Sequence, residues 1–373
     1  MPGFISTALT IVAMIGVAYT LAATALAGRW RKRGPAAAPD NAPSITMLKP
    51  LHGPEPVLEA KLMGFLDQDY PAPIEMVCGV ARADDPATQA ARAVGATLVV
   101  DGRSHGSNGK VSNLVNMRPS ATGELLILSD SDMAVPRDYA ARIAAVMAKP
   151  GVGAVTLLYA GRGDAGGWST LAAAGISWGF LPSVMIGLAT GMAHPCMGST
   201  IAIRRETLDA IGGFERFKDL LADDHAIGAA VREAGLEVAV PPLIVLHGST
   251  ETSLAELVRH ELRWNATVRM LDPAGYAGSV VTYPTAFALL AVAAGAGWWV
   301  LGTALLSRLA LAARIDHIVG RRTAPLWWMP GRDLLSFGLY LGAFFTRRVD
   351  WRGARLHMAH DGRMTTDTET RYP

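Results

Sequence analysis

Phe4 to Gly28 carries no charge, and Arg29, Arg31, Lys32 and Arg33 follow at once. About 20 such residues span the hydrocarbon core of a bilayer as a helix. Basic residues at the C-terminal end put that end on the cytoplasmic side, with the N-terminus pointing outward. A cleaved signal peptide is the rival reading, because Ala25-Leu26-Ala27-Gly28 resembles a cleavage site. No positive residue precedes the run, as a signal peptide requires. The expectation is an uncleaved membrane anchor over 1–33.

Composition agrees. The chain has 373 residues, of which half are hydrophobic and only 18% charged. A soluble chain of this length carries more charge, so part of it belongs in a bilayer. A net charge of +2 is too small to argue for nucleic acid. Cys78 and Cys196 show no metal spacing and suggest no disulfide framework, which fits a catalytic part in a reducing compartment.

Further apolar zones follow. Gly278 to Ala313 is long enough for two short spans turning near Gly295-Ala296-Gly297, with Arg308, Arg314, Arg321 and Arg322 returning the chain to the cytoplasm. Leu334 to Phe345 is short, with Arg332-Asp333 before it and Arg347-Arg348 after it. It reads as interfacial or re-entrant, with a further span as the alternative. The zone 278–346 is thus expected to hold membrane helices and 347–373 a cytosolic tail. Trp327-Trp328 suits an interfacial aromatic belt. Ser169 to Ala193 is apolar too. A crossing there would put Asp130 and Asp224 on opposite sides, so it reads as a segment on the membrane face that helps receive a lipid. A buried core segment is the plainer alternative.

From 44 to 272 the pattern alternates between strands and helices. Strands are expected at Ser44–Lys49, Ile74–Val80, Thr97–Val100, Glu124–Ser129 and Gly153–Leu158. Helices are expected at Glu55–Leu66, Pro86–Val94, Pro136–Ala148, Ala226–Ala234 and Ser253–Met270. Pro35 to Pro43 reads as a linker. Such alternation implies an α/β fold, a Rossmann-like, mostly parallel sheet with helices on both faces. Ligands then bind at the carboxyl ends of the strands.

Several motifs fall at those ends. Asp130 and Asp132 close the strand Glu-Leu-Leu-Ile-Leu-Ser. Residues two apart project to one side and suit a hard cation, Mg²⁺ or Mn²⁺, that keeps positions open for phosphate oxygens. A turn with Asp as helix cap is the plain alternative. Asp85 precedes Pro86 and can either cap a helix or sit beside a nucleotide. Gly106-Ser107-Asn108-Gly109-Lys110 enters a helix and can present N–H groups and the Lys110 charge to an anion. Asp224, in Ala222-Asp223-Asp224-His225, is either a cap or a general base. Arg263 can grip a diphosphate bidentately, and Trp264 can stack on an acceptor. A basic helix against lipid headgroups is the alternative there. His52, His194 and His247 are isolated and suggest no role.

These stretches together resemble the ceramide glucosyltransferase family of inverting, nucleotide-sugar-dependent enzymes, and within it the bacterial hopanoid-biosynthesis branch. The resemblance rests on Leu48-Lys49-Pro50-Leu51, Asp67-Gln68-Asp69-Tyr70-Pro71, Asp84-Asp85-Pro86-Ala87 and Lys110-Val-Ser-Asn-Leu114. It continues through Ser129 to Asp132, Gly198-Ser199-Thr200, Leu221 to Asp224 and His260 to Trp264. It implies a GT-A type domain over 44–272 on the cytosolic face, in a protein of the bacterial inner membrane. Asp85 then lies at the nucleotide, Asp130 and Asp132 at the metal and diphosphate, and Asp224 is the base. Arg263-Trp264 is the closing motif; the family opens that motif with Gln or Arg, where this chain has His260. The expected donor is a UDP-sugar and the expected acceptor a lipid hydroxyl, on a ceramide or a hopanoid polyol. An inactive nucleotide-binding membrane adaptor and a polysaccharide synthase are the alternatives.

Overall fold

The computed structural model describes residues 2–31, 34, 37–346, 348–351, 354–358 and 364–366. Lys32, Arg33 and Arg347, and most of the expected tail 347–373, lie outside the described residues. In chain order the first elements are α1 (Pro2–Leu26), β1 (Ile45–Pro50), α2 (Leu58–Leu66), β2 (Ile74–Val80), α3 (Ala87–Ala93), β3 (Thr97–Val100), α4 (Gly109–Met117) and β4 (Leu125–Leu128). Then come β5 (Met133–Ala134), α5 (Tyr139–Met147), β6 (Val152–Thr156), β7 (Leu158–Gly163), α6 (Gly167–Gly175), α7 (Leu181–Thr190), β8 (Ile201–Arg204), α8 (Arg205–Ala210) and α9 (Asp223–Glu233). The last are β9 (Glu237–Ala239), β10 (Ile244–Ser249), α10 (Leu254–Leu271), α11 (Pro273–Gly278), α12 (Pro284–Ala293), α13 (Trp299–Val319) and α14 (Met329–Ala343). The chain divides into two compact units. One gathers Lys32–Tyr159, His194–Gly248 and Leu356–Pro373; the other gathers Met1–Arg31, Ala160–Ala193 and Ser249–Arg355.

The first unit is built on a seven-stranded sheet in the order β3-β2-β1-β4-β8-β6-β9. It is mixed α/β and parallel-rich, with β8 running against both of its neighbours. Both faces are covered, which is why β4 reads as an unbroken apolar run rather than an alternation. Leu125 and Ile127 go to one core with Leu62, Phe65 and Ile143. Leu126 and Leu128 go to the other with Val111, Leu114 and Met117. On the second face α4 lies so close to β2 that any Cβ at Gly79 would collide with Asn113 and Met117.

The Asp67-Gln68-Asp69-Tyr70-Pro71 stretch is a clasp within this unit. Gln68 Nε2 donates to the carbonyls of Gly64 and Pro136 at 2.7 and 3.1 Å, and its Oε1 accepts from Ala140 N at 3.0 Å, joining α2 to the start of α5. Arg137 bridges Asp67 and Asp69. Tyr70 donates to the Pro43 carbonyl at 2.7 Å and ties down the segment entering β1.

The second unit is helical. Gly3–Trp30 is long and apolar enough to cross a membrane, as is Gly167–Thr190, which joins α6 and α7 through a π-helical turn, Ile176–Phe180. Pro273–Thr282 and Pro284–Ala293 together meet the same test but are bent by 61°. α1 buries Ala13 and Val17 against Ala288, Ala291, Val300 and Ala304 of α12 and α13. A Cβ at Gly16 would stand 2.6 Å from the Val281 carbonyl, so this approach depends on small residues. Phe4, Ile5, Ile11, Ile15 and Leu21 form the exposed face of α1.

A single crossing by Gly167–Thr190 is excluded by the sheet of the first unit. β4 precedes that helix and β8 follows it, yet the two strands pair through Leu128↔Ile201. Hydrogen-bonded strands of one sheet lie on one side of a bilayer, so the excursion returns to the side it left.

Arg308 and Arg332-Asp333, which sequence alone suggests are flanking charges, are buried in the helical unit. Arg308 donates to both oxygens of Asp333 at 2.9 and 2.8 Å, and to the Trp178 carbonyl of the π-helical turn at 2.9 Å. Thr285 donates to Asp333 at 2.8 Å. Arg332 donates to Glu261 of α10 at 2.5 Å and lies across Gly175, where any side chain would collide with it. The charges are buried because each is neutralised within the unit, which a helix flank in solvent does not need. Removing one partner strands a buried charge and costs about 3–5 kcal/mol, whereas removing both does not. Asp333→Leu is therefore expected to lower thermal stability in detergent sharply, and adding Arg308→Met to recover most of the loss, as read by unfolding monitored with circular dichroism.

Candidate active site

The carboxyl edge of the sheet collects the acidic motifs. β1, β2 and β4 run parallel, so the segments that follow them emerge at one edge. β8 runs the other way, so the turn that precedes it, Met197–Thr200, arrives at that same edge beside the end of β4. Asp130 N donates to the Gly198 carbonyl at 3.1 Å. Gly198 N donates to Asp224 Oδ2 at 2.9 Å. Lys110 Nζ stands 2.7 Å from Asp130 Oδ1 and 3.6 Å from Asp223 Oδ2. Asp130, Gly198, Asp224, Asp223 and Lys110 thus form a closed ring.

The members of the ring differ in surroundings. Asp223 is buried and faces Lys110 and the amide of Asn108, while Asp224 is half-buried and is gripped by the amides of Gly198 and His225. Neither caps α9 with its side chain, because the capping position is Ala222. Burial raises Asp130 above the ordinary carboxylate range; Lys110 opposes this, and the charge of Asp132 adds to it. Asp223 is raised likewise by burial, against Lys110 and with Asp224. Burial alone would lower Lys110, but Asp130, Asp223 and Asp224 outweigh it and hold the ammonium charged.

Asp132 points elsewhere. Its Oδ2 lies 3.1 Å from His247 Nε2 of β10, the strand that pairs with β5 beside it. Burial works to raise Asp132, and the charge of His247 overrides it, leaving the carboxyl at about 2. Asp132 Oδ1 is buried without a hydrogen-bond partner. An orphaned buried carboxylate oxygen is a hard donor of the kind a divalent cation takes. Among the described residues no three His, Cys, Asp or Glu side chains form a metal-holding group. Mg²⁺ and Mn²⁺ need only one or two carboxylates when phosphate oxygens and water complete their shell.

Beneath the Asp-x-Asp turn, Lys49 of β1 is fully buried. Its Nζ donates to Ser129 Oγ at 3.1 Å and to the Asp130 carbonyl at 3.0 Å, and sits 3.2 Å from the centre of the Phe65 ring. Burial pushes this ammonium down to about 7 despite the nearby charges of Asp130 and Asp132. Tyr159 is pushed well above its ordinary range by burial and then by Asp224, Asp132 and Asp130, so it stays a hydroxyl donor.

Asp85 stands at the same edge, beyond β2. Its carboxylate accepts from Gly53 N at 3.0 Å and from Ala87 N, at the start of α3, at 2.9 Å. The turn before Lys110 spends Ser107 N on Asp219 at 2.9 Å and caps α4 with the Asn108 side chain at 3.1 Å. Arg263 and Trp264 belong to the other unit, on α10, half-buried. There His260 Nδ1 lies 2.5 Å from Glu251, and its ring centre is 4.3 Å from that of Trp264. Sequence reasoning left out Lys49, Gly198, Tyr159 and His247. Lys49 and Gly198 had a signal in their motifs, but Tyr159 and His247 had none.

A parallel-rich sheet with one reversed strand and Asp-x-Asp at its carboxyl edge is the architecture of the GT-A glycosyltransferases. The chain belongs to glycosyl transferase family 21, whose model matches residues 8–364. It is similar to ceramide glucosyltransferase 3 of Caenorhabditis elegans, 23% identical over 238 residues, covering 60% of this chain and 50% of that protein. Ceramide glucosyltransferase 1 of the same organism is 21% identical over 230 residues, covering 60% and 49%. The chain spans about half the length of these relatives. Among solved structures it is similar in fold to mannosyltransferase PcManGT from Pyrobaculum calidifontis, in complex with GDP-Man and Mn²⁺. That match has a TM-score of 0.53 and 23% identity, over 92% of this chain and 97% of that one.

Neither cysteine supplies a nucleophile. Burial pushes the Cys78 thiol up to about 12 and raises Cys196 further still. Both are expected to resist iodoacetamide at pH 8 in the folded protein and to react on unfolding, as read from intact mass.

Proposed function

We propose that the protein is a membrane-bound inverting glycosyltransferase that moves a hexose or N-acetylhexosamine from a UDP-sugar to a lipid hydroxyl. The acceptor class is ceramide or a hopanoid polyol. The catalytic domain, over 44–272, faces the cytoplasm of a bacterial inner membrane, between the anchor 1–33 and the helices of 278–346. The observation that carries this reading is that Asp130 and Asp224, distant in sequence, bond to opposite ends of one residue, Gly198. A base and a diphosphate-side carboxylate must stand that near to act on one sugar.

Asp85 takes the nucleotide at the edge beyond β2. Lys110 supplies positive charge to the diphosphate. The acceptor oxygen attacks the anomeric carbon from the face opposite the leaving group. The bond from that carbon to the phosphate oxygen breaks, and UDP leaves with the electron pair. The hydroxyl proton passes to Asp224, whose carboxylate is aimed by the amides of Gly198 and His225. Asp130 and Asp132 would hold the divalent cation, which would supply Lewis-acid neutralisation of the departing diphosphate.

Asp224→Asn keeps the shape and removes the base. It is expected to lower transfer by about 10²–10⁴-fold while UDP binding stays intact. Radiolabelled transfer and UDP titration measure the two; normal turnover would remove Asp224 from this role. Chelation is expected to stop turnover and added Mn²⁺ to restore it, whereas full activity in EDTA would refute the metal assignment. Incubating membranes from expressing cells with labelled UDP-sugars and a panel of lipids, then identifying the glycolipid, tests donor and acceptor together.

A further inference from the structure

Gly198 touches both Asp130 and Asp224, and it does so through its backbone alone. Its carbonyl accepts from Asp130 N at 3.1 Å and its N–H donates to Asp224 Oδ2 at 2.9 Å. One residue therefore ties the backbone of Asp130 to the carboxylate of Asp224. The turn around it is braced on every side. Met197 N donates to Thr156 Oγ1 at 2.9 Å, Ser199 Oγ donates to the Leu157 carbonyl at 2.9 Å, and the Ser199 carbonyl accepts from Ser129 Oγ at 2.8 Å. Ser129 is held in turn by Lys49, so the buried ammonium supports both the Asp130 turn and, through Ser129, this one.

The absence of a side chain at 198 matters in a specific way. A Cβ there would lie 2.7 Å from Asp130 Oδ2 and 3.1 Å from Lys110 Nζ. Gly198 is not among the glycines with positive φ, so alanine brings no backbone strain. The atoms in the way are the free ends of two side chains, which can swing aside at little cost to the fold. They are also the two functional groups whose positions the ring fixes. A Cβ at 198 thus leaves the scaffold standing and displaces the Asp130 carboxylate and the Lys110 ammonium.

From this we infer that Gly198 is a positioning residue that registers Asp130 and Lys110 against Asp224, and that its lack of a side chain serves the site rather than the fold. The inference rests on the sugar-transfer reading for the roles of the residues it registers. Groups that orient metal-bound carboxylates typically change metal affinity or activity by about 10–100-fold when altered.

The test is Gly198→Ala in the full-length protein in detergent, read three ways. Melting temperature is expected to match the wild type. Mn²⁺ affinity in the presence of UDP, titrated by electron paramagnetic resonance, is expected to fall by about 10–100-fold, and kcat to fall at saturating Mn²⁺ and donor by a comparable factor. Wild-type Mn²⁺ affinity and kcat in a folded variant overturn the inference. So does a collapsed melting temperature, which would make the glycine a packing requirement. The two readings fail separately. A wild type that turns over in EDTA, with Gly198→Ala still impaired, sinks the metal and leaves the registration of Asp224 standing. A wild type that binds Mn²⁺ and UDP but transfers no sugar sinks the transferase reading, while the Mn²⁺ titration still judges Gly198.

Discussion

The reversal of β8 is the constraint on which the site depends. In an all-parallel sheet the turn entering a strand lies at the amino edge, away from ligands. Here β8 enters from the carboxyl edge, and its register with β4, Leu128 opposite Ile201, sets Met197–Thr200 beside Ser129–Asp132. Everything in the ring follows from that adjacency, including the reach of Gly198 to Asp130 and of its amide to the start of α9. The same pairing governs the long apolar excursion between β6 and β8. Whatever Gly167–Thr190 does at a bilayer, it must deliver the chain back to the side of β4. A segment that qualifies by length and hydropathy as a span is thereby limited to a return path.

The two units solve the problem of buried charge in different ways. In the helical unit Glu261, Arg332, Asp333 and Arg308 pair in charge, with Thr285 and the Trp178 carbonyl adding bonds. Such polar pairs hold helices in register where hydrophobic contact is not selective. At the sheet edge the charges do not cancel. Asp130, Asp132, Asp223 and Asp224 face Lys110, a buried Lys49 and His247, and one oxygen of Asp132 has no hydrogen-bond partner.

Much of this was legible before the fold was known, and the misses have causes. Strands β2 and β3 lie where their β-branched and apolar runs put them, and α10 starts one residue inside the expected range. β8 went unread because Ile201–Arg204 is four residues long between a Gly-Ser-Thr turn and a charged helix, too short for any period to register. Without β8, nothing in the sequence says which strand of the mostly parallel sheet is reversed, and Gly198 is a motif without a job. Asp223 and Asp224 were one cluster in sequence. Helical geometry turns consecutive residues by about 100°, which sends one to Lys110 and the other to Gly198. His247 looked isolated because its partner, Asp132, is more than a hundred residues away, and only the β5–β10 pairing brings them together. Arg308 looked like a flank because sequence shows a charge but not the Asp333 that neutralises it.

The sign of the charge at the sheet edge also bears on how the donor is taken. A nucleoside diphosphate is itself an anion, and the edge already carries more carboxylates than ammonium groups. Lys110 cannot reverse that balance alone, because its charge is committed to Asp130 and Asp223 at 2.7 and 3.6 Å. A divalent cation shared between Asp130, Asp132 and the diphosphate would change the sign of the field the donor meets, and would free Asp130 from relying on one lysine. Under the proposed sugar transfer, the acidic cluster alone would repel an anionic donor and would attract it once a cation is bound. Donor binding and metal binding would then be one linked event, beside an Asp224 that is tied to the Asp130 turn through Gly198.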